Sequence, residues 1–157
     1  MLRMKRLAAA IAIAFLAAAT PPAYADPEET DPDVSKRDAD YAAGKKAVET
    51  KDWARALESF KRAEVRNPDN ADLQNYIGYS HRNLKQYDLA FRHYKRAIQL
   101  NPRHRGAHEY IGETYLMVGD EARARKHLQA LKEICLLPCE ELADLERAIA
   151  AYGAKAR

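Results

Sequence analysis

Beyond residue 34, apolar side chains recur at the three- and four-residue spacing of amphipathic helices, in blocks separated by short polar turns. Ala56, Leu57, Phe60 and Ala63 share one face of one block, and Ile77, His81 and Leu84 share a face of the next. These blocks predict helices in pairs. The first of each pair runs from about Ser35 to Glu49, Asn70 to Asn83 and Arg105 to Val118. The second runs from about Trp53 to Arg66, Tyr87 to Leu100 and Glu121 to Ile134. A last stripe of Leu142, Leu145, Ile149 and Tyr152 predicts a helix over Cys139–Tyr152, with Gly153 as its stop signal. Glu140, Glu141, Asp144, Glu146 and Arg147 lie off that stripe.

The paired blocks repeat with a period of 34 residues. Gly44, Gly78 and Gly112 form one column; Ala56, Ala90 and Ala124 a second; Phe60, Tyr94 and Leu128 a third; Ala63, Ala97 and Leu131 a fourth. Trp53 pairs with Tyr87, and Pro68 with Pro102. A mid-helix Gly costs about 1 kcal/mol against Ala, so three of them in register imply a close helix approach. The alanines supply a shallow facing surface, and the residue four positions later fills the gap. Pro68 and Pro102 stop the second helices.

These columns resemble those of the tetratricopeptide repeat family, from Arg37 to about Pro138. Ile77-Gly78, Ile111-Gly112, Ala90 with Tyr94 and Ala97, and Pro102 carry the likeness. The first unit has Ala43 and Ala47 where larger residues are usual, and the third has Leu131 for Ala and no closing Pro at Leu136. The resemblance implies an all-α, right-handed superhelical array of three helix hairpins with a C-terminal capping helix. It also implies a concave groove, lined by the first helix of each pair, that binds an extended or helical peptide without catalysis.

The helical wheel turns Ala43, Ala47, Ile77, His81, Ile111 and Tyr115 toward the partner helix. On the opposite face it places Tyr41, Lys45 and Glu49, then Asn75, Tyr79, Arg82 and Asn83, then Glu109, Glu113, Leu116 and Met117, with Tyr76 and Tyr110 at the edge. The candidate groove is therefore Tyr41, Lys45, Asn75, Tyr76, Tyr79, Arg82, Asn83, Glu109, Tyr110, Glu113 and Met117. Tyr among hydrogen-bonding residues suits a protein-binding patch. Lys45 and Arg82 beside Glu109 and Glu113 give the groove a change of sign along its length, and the side chain of Arg82 is expected to point away from the helix pair. Chaperone-binding relatives clamp a carboxylate with Lys, Asn and Arg. The matching places here hold Tyr41, Lys45, Tyr76, Gly106 and Tyr110, so only Lys45 donates as a cation and the clamp is not supported.

Residues 1–25 differ from the rest. Met1–Arg6 is positive, Leu7–Ala19 is an apolar run of thirteen residues, and Ala23-Tyr24-Ala25 is a small-x-small cleavage pattern. This is the pattern of a secretory signal peptide, with a run shorter than the roughly 20 apolar residues of a comfortable span. Asp26–Val34 holds five acids and two prolines and reads as a disordered linker. The expected organisation is a signal peptide at 1–25, the linker at 26–34, repeats over 35–138 (about 37–70, 71–104 and 105–138), a capping helix at 139–152 and a tail at 153–157. The protein is expected to be exported, to a bacterial periplasm or beyond, with no stable membrane insertion after cleavage.

Charge narrows the partners. The whole chain carries +3, but removing Arg3, Lys5 and Arg6 leaves 23 basic residues against 23 acidic, which argues against nucleic acid. Lys61, Arg62, Arg66, Arg92, Lys95, Arg96, Arg103 and Arg105 gather on the second helices and the turns after them, either as a solvated outer face or as a contact for an acidic partner or anionic surface. Cys135 and Cys139 have three residues between them, against two in a redox motif, and no second pair exists for zinc. In an oxidising compartment they read as one structural disulfide worth about 2 kcal/mol, with buried free thiols the alternative. His104 and His108 have the spacing of a metal pair but no third ligand, His81 reads as a hydrogen-bonded core residue, and His93 and His127 read as surface. No cofactor, metal or catalytic signature follows. The expected function is a non-catalytic protein-interaction module that holds a protein or peptide partner. A self-associating spacer unit is the alternative, and a metal- or redox-linked enzyme the remote one.

Overall fold

The computed structural model describes residues 38–155, which form seven helices and no strand. They are α1 (Ala39–Glu49), α2 (Trp53–Arg66), α3 (Ala71–Asn83), α4 (Tyr87–Leu100), α5 (Arg105–Met117), α6 (Glu121–Ile134) and α7 (Glu140–Lys155). The signal-peptide and linker readings, at 1–25 and 26–34, lie outside the described residues, as do the last two residues of the tail. Consecutive helices pack as antiparallel hairpins, and α7 docks on α5 and α6.

Each start has a local cause. Asp38 caps α1 with Oδ1, which accepts from the Asp40 and Tyr41 N–H groups at 2.8 and 3.2 Å. Asp52, Asn70, His104 and Asp120 accept in the same way from Arg55, Leu73, Ala107 and Arg123. Asp38 therefore sets the start of α1, four residues after the expected Ser35. Arg66 also bonds Asp38 and Asp40, at 2.6 and 2.7 Å, and holds the Asp38 carboxyl below its usual range. Within each hairpin the turn contains one left-handed residue: Lys51, Lys85 and Gly119, with φ of 58°, 59° and 82°. Only the third unit has the residue type suited to that conformation.

The glycine column makes the close approach its spacing implies. A Cβ on Gly44 would intrude on the Phe60 ring, and one on Gly78 would sit 2.8 Å from Tyr94 Cδ1. The third notch differs: a Cβ on Gly112 would meet Leu145 Cδ2 of α7 at 2.7 Å. The cap fills the place that the repeat pattern assigns to Leu128. Leu145 and Ile149 are buried with Ile111, Tyr115 and Leu131 in the C-terminal core, while Phe60, Leu73 and Ile77 anchor the N-terminal one. Burying side chains of this size stabilises each half by about 1.5–3 kcal/mol apiece.

Three expectations, on Ala43, on Tyr41 and on the bounds of the capping helix, are corrected. Ala43 is exposed, because its column mates Ile77 and Ile111 pack against the preceding unit and among the described residues no unit precedes α1; Tyr41 turns inward instead, its ring 6.0 Å from Phe60 and 5.8 Å from Tyr76. The capping helix starts at Glu140 and passes through Gly153 to Lys155. A single Gly costs only about 1 kcal/mol there, and Lys155 in the last turn favours the helix dipole. Cys135 and Cys139 come to bonding distance across the linker before α7, with Cα atoms 6.1 Å apart. Leu136 and Leu137, between them, are exposed. Among the described residues, no helix is long and apolar enough to cross a membrane.

Candidate functional site: the concave groove

Helices α1, α3, α5 and α7 lie side by side and form the inner layer. The candidate residues fall into three groups. Lys45, at the α1 end, is exposed with Nζ 5.9 Å from the Tyr76 ring centroid. Tyr41 shares a shallow depression with Lys45 and Glu49, but its ring is buried in the core contact described above.

In the middle, Arg82 is not on a free surface. It is 9% exposed, its guanidinium lies 4.9 and 5.0 Å from the Tyr79 and Tyr110 ring centroids, and it bonds Glu113 of the next repeat. Tyr79 and Tyr110 are themselves 4.8 Å apart. The expected sign change along the groove is thus cancelled at its centre, because Arg82 and Glu113 neutralise each other across the α3–α5 boundary. Asn83 donates through Nδ2 to the Tyr79 carbonyl, and Met117 is exposed at the rim.

At the α5–α7 end the groove deepens into a cavity of 330 Å³. Asp72, Asn75, Tyr76, Glu109 and Tyr110 line it from α3 and α5, and Glu140, Glu141 and Asp144 from α7. Glu109 and Asn75 form its floor, 7% and 5% exposed. Burial, the neighbouring Glu113 and Asp144 of α7 push the Glu109 carboxyl up to about 8. His104 caps α5 through Nδ1, so its ring donates only through Nε2, which lies 3.0 Å from Asp72 Oδ1. The α7 carboxylates were not among the sequence candidates. Their signal is the spacing of Glu140, Glu141 and Asp144 on one face of the cap, opposite its apolar stripe.

The opposite side of the first helices is a polar seam. His81 Nδ1 donates to Gln86 Oε1 at 2.6 Å, and His93 Nδ1 to Gln74 Oε1 at 2.8 Å, with the two rings stacked. His108 Nε2 donates to the Pro102 carbonyl at 3.1 Å, so its Nδ1 accepts from His127 Nδ1–H at 3.0 Å. Desolvation lowers the pKa of all four rings, that of His127 to about 4. His81 is the hydrogen-bonded core residue its column implies. His93 and His127, expected on the surface, are half-buried because second-helix positions facing the seam are covered by α3 and α5. His104 and His108 bond different partners, and no group of three side chains among the described residues is placed to hold a metal.

Half of the basic outer cluster is paired: Arg62 and Arg66 with Asp40, Arg66 with Asp38, Arg96 with Asp69, and Arg105 with Glu141. That leaves less free positive charge than the sequence count implies.

Comparison with known proteins agrees with this architecture. The tetratricopeptide repeat family model matches residues 41–101 and 77–135. The chain belongs to the tetratricopeptide repeat family. No curated protein matches it. Among solved structures it is similar to the Yersinia enterocolitica type III secretion translocator chaperone SycD, crystallised as an alternative dimer, at 19% identity and TM-score 0.69. That match covers 82% of this chain and 98% of SycD. The CopN-Scc3 complex matches at 20% identity and TM-score 0.61, over 71% of this chain and 66% of that one. A mutant of MamA matches at 24% identity and TM-score 0.56, over 70% of this chain and 62% of that one.

Proposed function

We propose that this protein is an exported, non-catalytic interaction module that holds a segment of a protein partner in its concave groove, in a bacterial periplasm or outside the cell. The observation that carries the groove is the row of half-buried tyrosines, Tyr76, Tyr79 and Tyr110, on one open face beside exposed Lys45. Tyr offers large contact area at low entropic cost and keeps a polar tip for hydrogen bonding. Arg82, clamped by two of these rings and by Glu113, holds the surface rigid, which lowers the cost of binding. SycD, by name a chaperone, and the CopN-Scc3 complex support a protein partner. The apolar run before Ala23-Tyr24-Ala25 supports export. In an oxidising compartment Cys135 and Cys139 form one bridge that pins the start of α7. In protein from its own compartment, both thiols should resist alkylation until reduced.

A photo-crosslinking side chain at Tyr79 should give a covalent partner adduct in cells, and one at Arg92 on the outer face should not. Adducts from Arg92 alone would move the binding surface to the outer helices. A second reading, a self-associating unit, is favoured by Leu136, 88% exposed beside Leu137 at the α6–α7 corner. A sedimentation mass of two protomers that falls to one on Leu136→Ser would support it.

A further inference from the structure

Resting on the groove reading, we propose that the cavity between α3, α5 and α7 is a cation pocket that takes the guanidinium or ammonium group of an Arg or Lys side chain presented by the partner segment. Asp72, Glu109, Glu140, Glu141 and Asp144 bring five carboxylates to its walls, and no Lys or Arg is among its lining residues. Acidic walls alone would be a solvated surface. The floor adds a second, independent observation. Asn75, 5% exposed, has a buried Oδ1 with no hydrogen-bond donor. Glu109, 7% exposed, makes no hydrogen bond or ion pair. Leaving a buried acceptor unmet costs about 1–3 kcal/mol, and native proteins do so rarely. Asn75 Oδ1 is an acceptor, so its missing partner is a donor, while His104 Nε2 has Asp72 Oδ1 3.0 Å away. Glu109, neutral below about pH 8, becomes a second acceptor by giving up its proton when a cation enters.

The chemistry of that donor follows from the spacing. The carboxylates belong to three helices, and no three of them converge as a metal would require. A cation with several divergent N–H groups fits separated acceptors, and guanidinium has five in a planar fork. The half-buried Tyr76 and Tyr110 rings at the wall offer faces on which such a plane stacks. A volume of 330 Å³ is at the lower end of ligand sites, roughly 300–1,000 Å³, and holds one long side chain with water. The acidic segment 26–34, with no base, is the wrong sign to fill it. The groups facing Glu109 are Glu113 on its own helix, Arg82 from α3, and Glu141 and Asp144 from α7. Arg82 is already paired with Glu113, and Asp72, Glu141 and Asp144 have His104, Arg105 and Arg147 beside them, so Glu109 and Glu140 are the wall carboxylates that carry no ion pair among the described residues.

The test uses terminally blocked Ala-Arg-Ala, Ala-Lys-Ala and Ala-citrulline-Ala, titrated into the isotope-labelled protein at low salt. Citrulline keeps the shape of Arg and removes its charge. Ala-Arg-Ala should shift the amides of Gly106, Glu109 and Tyr110, bind at least tenfold tighter than Ala-citrulline-Ala, and bind tighter than Ala-Lys-Ala. Glu141→Gln with Asp144→Asn, on the partly exposed wall, should weaken Ala-Arg-Ala about tenfold, with changes in the free protein's spectrum confined to the neighbours of their ion-pair partners Arg105 and Arg147. Equal binding of Arg and citrulline peptides at these amides would overturn the cation pocket and leave the groove reading standing. Absence of any shift there would overturn it too, and the crosslinking at Tyr79 then decides the groove separately.

Discussion

His108 and Glu109 are neighbours on α5, both ionisable and both 7% exposed, yet they sit in opposite situations. His108 faces the seam, where it donates to Pro102 and accepts from His127. Glu109 faces the groove, where it bonds nothing and feels three more carboxylates, those of Glu113, Asp144 and Glu141. One turn of repeat earlier, His81 and Arg82 divide in the same way: His81 bonds Gln86 on the seam, and Arg82 enters the groove, where only the next repeat completes it. None of the buried polar atoms without a partner belongs to the four seam histidines; Asn75 Oδ1 and Arg82 Nε belong to the inner layer, His104 Nε2 to the cap of α5, and Tyr94 OH lies just beneath the inner layer. The seam is closed within each unit, as a structural interface must be. The groove keeps buried polar atoms without partners, Asn75 Oδ1 and Arg82 Nε among them, which is what a surface awaiting a partner looks like.

Breaking the one completed pair in the groove should have the largest effect. Arg82→Met leaves Glu113 without its counterion and should cost about 3 kcal/mol in urea unfolding, with part regained in Arg82→Met/Glu113→Gln. A loss under about 0.5 kcal/mol would place Arg82 with exposed pairs and blur the contrast. Acid should act next, on the seam. His127 titrates near 4 in the fold against 6.5 unfolded, so the unfolded chain binds more protons between those values. Stability is fully present above pH 6.5 and should fall by roughly 2–3 kcal/mol as pH drops toward 4. His108→Gln/His127→Gln should show a shallower slope. The smallest effect has the opposite sign. Glu109 titrates near 8 against 4.5, so the fold holds the extra proton and stability declines as pH rises from 4.5 to 8. Glu109→Gln should therefore be more stable than the parent by about 1–2 kcal/mol at pH 8.5 and nearly equal at pH 5. A parent and variant that track each other across that range would remove Glu109 from the buried floor.

The sequence made the array legible because the 34-residue columns are local packing rules repeated three times. The spans Trp53–Arg66, Tyr87–Leu100 and Glu121–Ile134 match α2, α4 and α6 from end to end. Legibility failed where a residue's surroundings come from outside its own hairpin. Tyr41 lies on the column of Asn75 and Glu109 but fills the gap left by Ala43. Leu145 takes the notch that the repeat assigns to Leu128. Arg82 has groove periodicity, but its partner lies 31 residues on, so its burial is invisible to a helical wheel. The acidic wall was missed for the same reason: Glu140, Glu141 and Asp144 become groove residues only when α7 docks on α5.

The titration of Glu109 itself, followed through its side-chain carboxyl carbon by NMR, first alone and then with saturating Ala-Arg-Ala, tests the open floor of the groove most directly. The expected result is a midpoint near 8 in the free protein that falls well below neutrality when the Arg side chain enters, with a proton released on binding near pH 7. A midpoint in the ordinary glutamate range in the free protein, unmoved by the peptide, would contradict it.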